Sequence, residues 1–394
     1  MMFARLYKYL NAILIVIAIV AFQTAYADDH DKTFEQIVTD YGFPLESYKV
    51  TTEDGYILTT FRIPHGKSQG PSDDATPVLI QHGYFDACDF AVMNGPELSI
   101  PFFLAEQGFD VWLGNGRGNK YSRNHTTLNP DKDVDFWEYS FVERAADDKA
   151  NINFIIEKTG KSKISMIAHS EATASLWTGM EKDSSFYKSK LNLIIALGPI
   201  SRLDNIRTLL LKSLAINKLP LNAIKAFGIH EFFKGDFWNS LWFHTTCGYI
   251  PQICRFSTYL ISDGDTSVDD LGAMRNYYGH YPNGISIKSL DHTLQIYMSK
   301  RFQYYDYGKD KNMEEYGTEI PPLVNLTAID GPPTVLMVGK TDLLSVPEDA
   351  EWLKEQLGSN VVGYETYDYG HITFFIGKDV KYLDDVVSYL RQYN

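Results

Sequence analysis

The run Ile164-Ser165-Met166-Ile167-Ala168-His169-Ser170-Glu171-Ala172 limits the folds open to this chain more than any other segment. A β-prone apolar stretch ends at a small-X-Ser-X-small turn. Thr173, Ala174, Ser175, Leu176 and Trp177 then continue as a helix-compatible segment. A strand that turns this sharply into a helix brings two backbones together, so the positions two before and two after the serine must be small. Here they are Ala168 and Ala172. The same sharp turn exposes a serine hydroxyl at the end of a sheet, where it can act as a nucleophile.

A serine hydroxyl attacks only when a base takes its proton. His371 is the candidate base. It lies in the turn Tyr369-Gly370-His371-Ile372, just past the strand-like Tyr364-Glu365-Thr366-Tyr367. A histidine base needs a carboxylate to hold its tautomer and stabilise its cation. Asp342 follows the strand-like Val335–Val338 by a short turn and supplies it. Singly, these residues read as a core histidine and a turn aspartate. Jointly, in the order Ser, Asp, His, they form the pattern of the α/β-hydrolases. That fold takes its oxyanion donors from the backbone N–H after the nucleophile, here Glu171, and from a loop after an early strand, here Tyr84. His169 is expected to face away from Ser170. Seven further histidines (His65, His82, His125, His230, His244, His280 and His292) show no metal-ligand spacing, so neither metal nor cofactor is expected.

The rest of the chain supports an α/β architecture. Tyr48–Thr52 and Tyr56–Thr60 flank Glu53-Asp54-Gly55 as a hairpin. Val78–Gln81, Phe109–Leu113, Ile164–His169, Leu193–Leu197 and Pro333–Val338 read as buried strands, with helices at Pro101–Gln107 and Ala145–Lys158. Such alternation indicates a mostly parallel central sheet covered on both faces. It stops near Ser201 and resumes after about Tyr316. The interval is helix-prone and aromatic (Phe232, Phe233, Phe237, Trp238, Trp242 and Phe243). An insertion there would sit over the carboxyl ends of the strands. The expected organisation is a signal peptide over 1–27, a hydrolase core over 28–200, a helical cap over 201–316 and the rest of the core over 317–394. Most of the aromatics should form the cap's own core, and a minority should line an acyl tunnel.

Arg5 and Lys8 precede an apolar stretch from Ala12 to Phe22, and Ala25-Tyr26-Ala27 offers a cleavage site before Asp28. That stretch is too short for comfortable membrane spanning, so a cleaved leader is expected and no integral anchor. Its removal takes away two positive charges and moves the net charge from −14 to −16. A chain this acidic is unsuited to nucleic acid, which is bound through clustered Lys and Arg. A secretory route permits disulfides. Cys247 and Cys254 close a short loop and are the expected pair, leaving Cys88 as a buried thiol. Asn124-His125-Thr126 and Asn325-Leu326-Thr327 are glycosylation acceptors on that route.

With these residues in hand, the chain resembles the acid lipase family, the gastric and lysosomal type and especially its insect members. The likeness rests on Glu53–Leu58 with Arg62-Ile63-Pro64-His65-Gly66-Lys67, on Gln81-His82-Gly83, and on Gly108–Asn119 with Tyr121-Ser122-Arg123. Phe136-Trp137 and Asp342-Leu343-Leu344 add to it. It spans nearly all of the chain after the leader. The resemblance implies an α/β-hydrolase core with a helical cap, Ser170, Asp342 and His371 as catalytic residues, Tyr84 and Glu171 as oxyanion donors, and a Cys247–Cys254 cap disulfide.

Two segments depart from the family pattern. Its elbow reads Gly-His-Ser-Gln-Gly, whereas this one reads Ala-His-Ser-Glu-Ala; and two leucines follow Gln-His-Gly, where this chain has Tyr84-Phe85. An ionised Glu171 beside a developing oxyanion would oppose it, which predicts an acid-shifted optimum.

The expected function is a lipase or esterase, secreted or, alternatively, lysosomal. It would cleave carboxylic esters of neutral lipids through an acyl-enzyme, at a droplet, micelle or lipoprotein surface. The competing reading is a catalytically weak lipid carrier on the same fold.

Overall fold

The structure, a computed structural model, describes residues 29–216, 224, 227–233, 246–247 and 250–394. The expected signal peptide and Phe237, Trp238, Trp242, Phe243 and His244 lie outside the described residues.

Eight strands form one sheet: β1 (Glu46–Thr51), β2 (Ile57–Ile63), β3 (Pro77–Gln81), β4 (Asp110–Gly114), β5 (Ile164–His169), β6 (Leu191–Leu197), β9 (Thr334–Gly339) and β10 (Val361–Tyr367). Their spatial order is β1-β2-β4-β3-β5-β6-β9-β10. The β1–β2 hairpin is antiparallel, with Glu46 opposite Arg62 and Thr51 opposite Ile57, and β2 runs antiparallel to β4. Every other neighbouring pair is parallel.

The period-2 alternation of a strand sends successive side chains to opposite faces. Val78, Ile80, Val111, Leu113, Ile167, Leu193, Ile195, Val335 and Met337 enter one buried layer. Leu79, Trp112, Met166, Ala168, Ile194, Ala196, Leu336 and Val338 enter the other. Both faces are buried, so these strands are apolar along their length rather than alternating. The helices Phe34–Asp40, Ile100–Glu106 and Tyr382–Tyr393 cover the first face, and Phe141–Thr159, Glu171–Lys190 and Pro347–Leu357 cover the second.

Helix ends follow local chemistry. The helix Phe141–Thr159 starts at a Ser140/Glu143 capping box and stops at Gly160, which takes the left-handed conformation (φ 69°). It therefore begins four residues before the Ala145 start read from the sequence, because the cap lies upstream of the apolar stripe.

Between β6 and β9 the described chain is mostly helical: Leu209–Ile216, Pro251–Ile261, Leu271–His280, Ile287–Ser299 and Lys309–Tyr316. A two-stranded ribbon pairs β7 (Glu231–Phe232) with β8 (Ile285–Ser286). Phe232 and Phe233 pack on Phe85. The Cys247–Cys254 disulfide forms within this region, and Cys88 is a buried free thiol. Among the described residues, no helix is long and apolar enough to cross a membrane.

Candidate active site

Ser170, Tyr84, Asp342 and His371 all follow carboxyl ends of parallel strands: β5, β3, β9 and β10. Ligands of open α/β sheets bind at these ends. Ser170 has φ 57° and ψ −125°, a strained turn between β5 and the helix Glu171–Lys190. Its N–H is held by the Leu197 carbonyl at 3.0 Å. Within the elbow only Ser170 has positive φ; Ala168 and Ala172 do not. Both alanines are fully buried.

His371 Nε2 lies 2.8 Å from Ser170 Oγ, and its Nδ1 lies 2.7 Å from Asp342 Oδ2. Asp342 Oδ1 accepts from the N–H groups of Leu344 and Ser345, each at 2.7 Å. The carboxylate is thereby fixed on one side by backbone donors and presents its other oxygen to the imidazole. Asp342 is completely buried, His371 is 4% exposed and Ser170 8%. Such a chain can draw the hydroxyl proton onto His371 while Asp342 stabilises the cation that forms.

His169 Nε2 lies 3.0 Å from the His371 carbonyl, and its ring packs beside the His371 ring and against Phe375. Through these contacts it braces the histidine turn. Burial depresses its basicity well below the ordinary range, with the nearby His371 adding to the effect.

Gly83 lies directly across Ser170. A Cβ there would come within 2.7 Å of Ser170 Cβ, so only glycine lets the loop after β3 approach. His82 Nε2 accepts from the Gly116 N–H at 2.9 Å and lies 3.1 Å from the Asn119 amide nitrogen. Its proton is therefore on Nδ1, which donates to the Gly83 carbonyl at 2.8 Å. Burial, aided by Arg144, pushes the His82 pKa down to about 3, so the ring stays neutral. The peptide is planar and trans, so the Tyr84 N–H points opposite to the Gly83 carbonyl that His82 holds. The Tyr84 hydroxyl donates to the Ser289 carbonyl at 3.0 Å and accepts from Thr293 Oγ1 at 2.7 Å. Glu171 is the first residue of its helix, and N–H groups of a first turn have no intrahelical acceptor.

The Glu171 side chain does not stand alone. Arg144, in the helix Phe141–Thr159, donates to its Oε2, and both side chains are buried. Burial raises the Glu171 pKa to about 7, against the lowering pull of Arg144. The expected charge beside the oxyanion is therefore not isolated: the Arg144 guanidinium faces the carboxylate.

Two residues that sequence reasoning passed over reach this site. Arg144 is one. The other is Asp263, completely buried, which accepts from the Ile372 N–H at 3.1 Å. Gly264 N–H donates to the Thr341 carbonyl at 2.7 Å and Leu343 N–H to the Ser262 carbonyl at 2.9 Å. The segment 262–264 therefore joins the loops that carry Asp342 and His371. A signal for Arg144 was present: Phe141, Arg144, Ala145, Asp148, Asn151, Ile152 and Ile155 share one helix face, so three polar residues point at the core. Asp263 had no comparable signal. Asn124 and Asn325 are both exposed.

Residues 34–95 match the partial α/β-hydrolase lipase region. Human lipase member K is 31% identical over 91% of this chain and 90% of its own length. Human gastric triacylglycerol lipase is 33% identical over 91% and 90%. Among solved structures, the soluble variant of monoglyceride lipase from Saccharomyces cerevisiae, in complex with a substrate analog, matches 89% of this chain and 95% of that one. It does so at a TM-score of 0.54 and 13% identity, a likeness of fold.

Proposed function

This chain belongs to the acid lipase family and is a carboxylic ester hydrolase; from that premise we propose that Ser170 is its nucleophile, His371 its general base and acid, and Asp342 the carboxylate that orients His371. The observation that carries this reading is the unbroken hydrogen-bonded line from Asp342 Oδ2 through His371 to Ser170 Oγ, at 2.7 and 2.8 Å.

Ser170 Oγ attacks the ester carbonyl as its proton passes to His371 Nε2. The tetrahedral oxyanion is received by the backbone N–H groups of Tyr84 and Glu171. A single donor of this kind is worth about 2.7–4 kcal/mol in the transition state. His371 then protonates the leaving alcohol, and a water activated by the same histidine releases the acid from Ser170.

The substrates we propose are esters of neutral lipids, a class supported by the gastric triacylglycerol lipase likeness and by the apolar insertion above the strand ends. Residues 201–316 act as the cap, and the tie between Tyr84 and the helix Ile287–Ser299 supports its closeness to the nucleophile. Residues 1–27 serve as a cleaved leader for a secreted or lysosomal protein. The disulfide and the exposed Asn124 and Asn325 fit that route.

The test is labelling of the purified chain with a fluorophosphonate, together with hydrolysis of short- and long-chain p-nitrophenyl esters. Wild type should label and turn over, and Ser170→Ala should do neither. Equal turnover by both proteins would overturn the assignment.

A further inference from the structure

A buried ion pair is a poor source of stability, because desolvating two charges offsets most of their attraction. The Arg144–Glu171 pair therefore calls for another account. Glu171 stands where the family's elbow carries glutamine, and its Oε1 has no hydrogen-bond partner among the described residues. Arg144 is 5% exposed and Glu171 1%. The guanidinium faces other carboxylates, but they are engaged: Asp147 by Arg117 at 2.7 Å and Asp148 by the Ser175 hydroxyl at 2.8 Å. Its two terminal nitrogens divide between two backbone segments. Nη1 donates to the Glu171 carboxylate, and Nη2 donates to the His82 carbonyl at 3.3 Å. Room for the fork comes from Gly116, where a Cβ would stand 2.5 Å from Nη2.

Those two segments are the ones that present the Glu171 and Tyr84 N–H groups. We propose that Arg144 is a positioning residue for ester hydrolysis in this chain, a clamp that sets the spacing of the two oxyanion donors by holding the Glu171 side chain and the His82 carbonyl at once. The inference rests on the oxyanion assignment above. Only a planar fork serves both partners; a lysine ammonium, a point charge on a flexible stem, reaches one of them poorly. Arg144 also sets a positive charge against the carboxylate that adjoins the oxyanion. The groups facing the pair are Asp147 and Asp148 from the same helix, Tyr139 before it, and His82 and Tyr84 from the loop after β3.

The experiment compares wild type, Arg144→Lys, Arg144→Met and Arg144→Met/Glu171→Gln in the full chain. Each is titrated with fluorophosphonate so that rates refer to labelled serine, and kcat and KM are measured on p-nitrophenyl butyrate from pH 5 to 9. A displacement of about 1 Å costs on the order of 100-fold in rate, so Arg144→Met should lose about 10–100-fold in kcat with KM within about threefold. Arg144→Lys should lose about 5–20-fold by the same displacement argument with only part of the clamp gone. The double variant should recover part of the Arg144→Met loss, since no carboxylate is left unpaired. A kcat per labelled serine within twofold of wild type in Arg144→Lys, or in a folded Arg144→Met, overturns the clamp. If Arg144→Met does not fold, Arg144→Lys alone decides. A wild type that fails to label refutes the catalytic assignment instead, so the two failures are distinguishable.

Discussion

Replacing Asp263 with alanine should separate positioning from chemistry. The carboxylate accepts from the Ile372 N–H at 3.1 Å and contacts the Ser262 hydroxyl at 3.3 Å, with no exposure to solvent. Gly370, one residue before His371, leaves the space it occupies, and a Cβ there would overlap Asp263. Burial raises its pKa well above the ordinary carboxylate range, with Asp269 and Asp342 adding to the effect, a shift toward the neutral acid. Asparagine is then a close mimic: it keeps an acceptor oxygen and carries no charge. Alanine instead orphans the buried Ile372 N–H, a loss of about 1–3 kcal/mol. Because that donor is next to His371 in the chain, the imidazole shifts relative to Ser170. A shift of about 0.5–1 Å converts to roughly 10–100-fold in kcat. Substrate binding lies elsewhere, so KM should stay within about threefold by the same argument. The assay is ester hydrolysis normalised to fluorophosphonate-reactive serine, paired with urea unfolding. Asp263→Ala should lose both activity and stability, and Asp263→Asn should keep most of each. If Asp263→Asn is as impaired as Asp263→Ala, or if Asp263→Ala keeps its kcat, the brace from 262–264 to the histidine turn is not what positions His371.

Two further outcomes follow from the same geometry. Burial pushes the Asp148 pKa up to about 8. A carboxyl raised above its unfolded value contributes stability that is fully present below about pH 3.9 and is lost as pH rises through 8. Relative to Asp148→Asn, which retains an acceptor for Ser175, wild type should therefore lose on the order of a few kcal/mol between pH 5 and 8.5 in urea unfolding; parallel pH dependences of the two proteins would show that Asp148 does not titrate in that window. Tyr84→Phe removes the hydroxyl that bonds Ser289 and Thr293. At about 1 kcal/mol per hydrogen bond, the loop should loosen by about 1–2 kcal/mol. That should appear as faster amide exchange at residues 83–86 and a several-fold lower kcat; unchanged exchange would mean that the tie to the helix Ile287–Ser299 does not order the loop.

Much of the fold is legible in the chain because its determinants are local. The parallel strands are buried on both faces, so they appear as short unbroken apolar runs. The elbow is marked by small residues because its sharp turn brings strand and helix backbones together. Element ends were less legible where a cap decides them, as Ser140 and Glu143 do upstream of Ala145. The insertion was recognisable as helix-prone, but the contacts of its segment 262–264 were not.

The sequence alone determined the parallel core, the turn that lifts Ser170, and the order of Ser170, Asp342 and His371 along it, since each depends on neighbours a few residues away. Tertiary structure decided what surrounds them. Arg144 meets Glu171 across two packed helices, His82 aims the Tyr84 N–H through a ring held by Gly116 and Asn119, and Asp263 reaches the His371 turn from a separate part of the chain. Those contacts join residues 27 to 109 positions apart, and the burial that sets their protonation exists only once the layers have closed, so no local pattern can encode them.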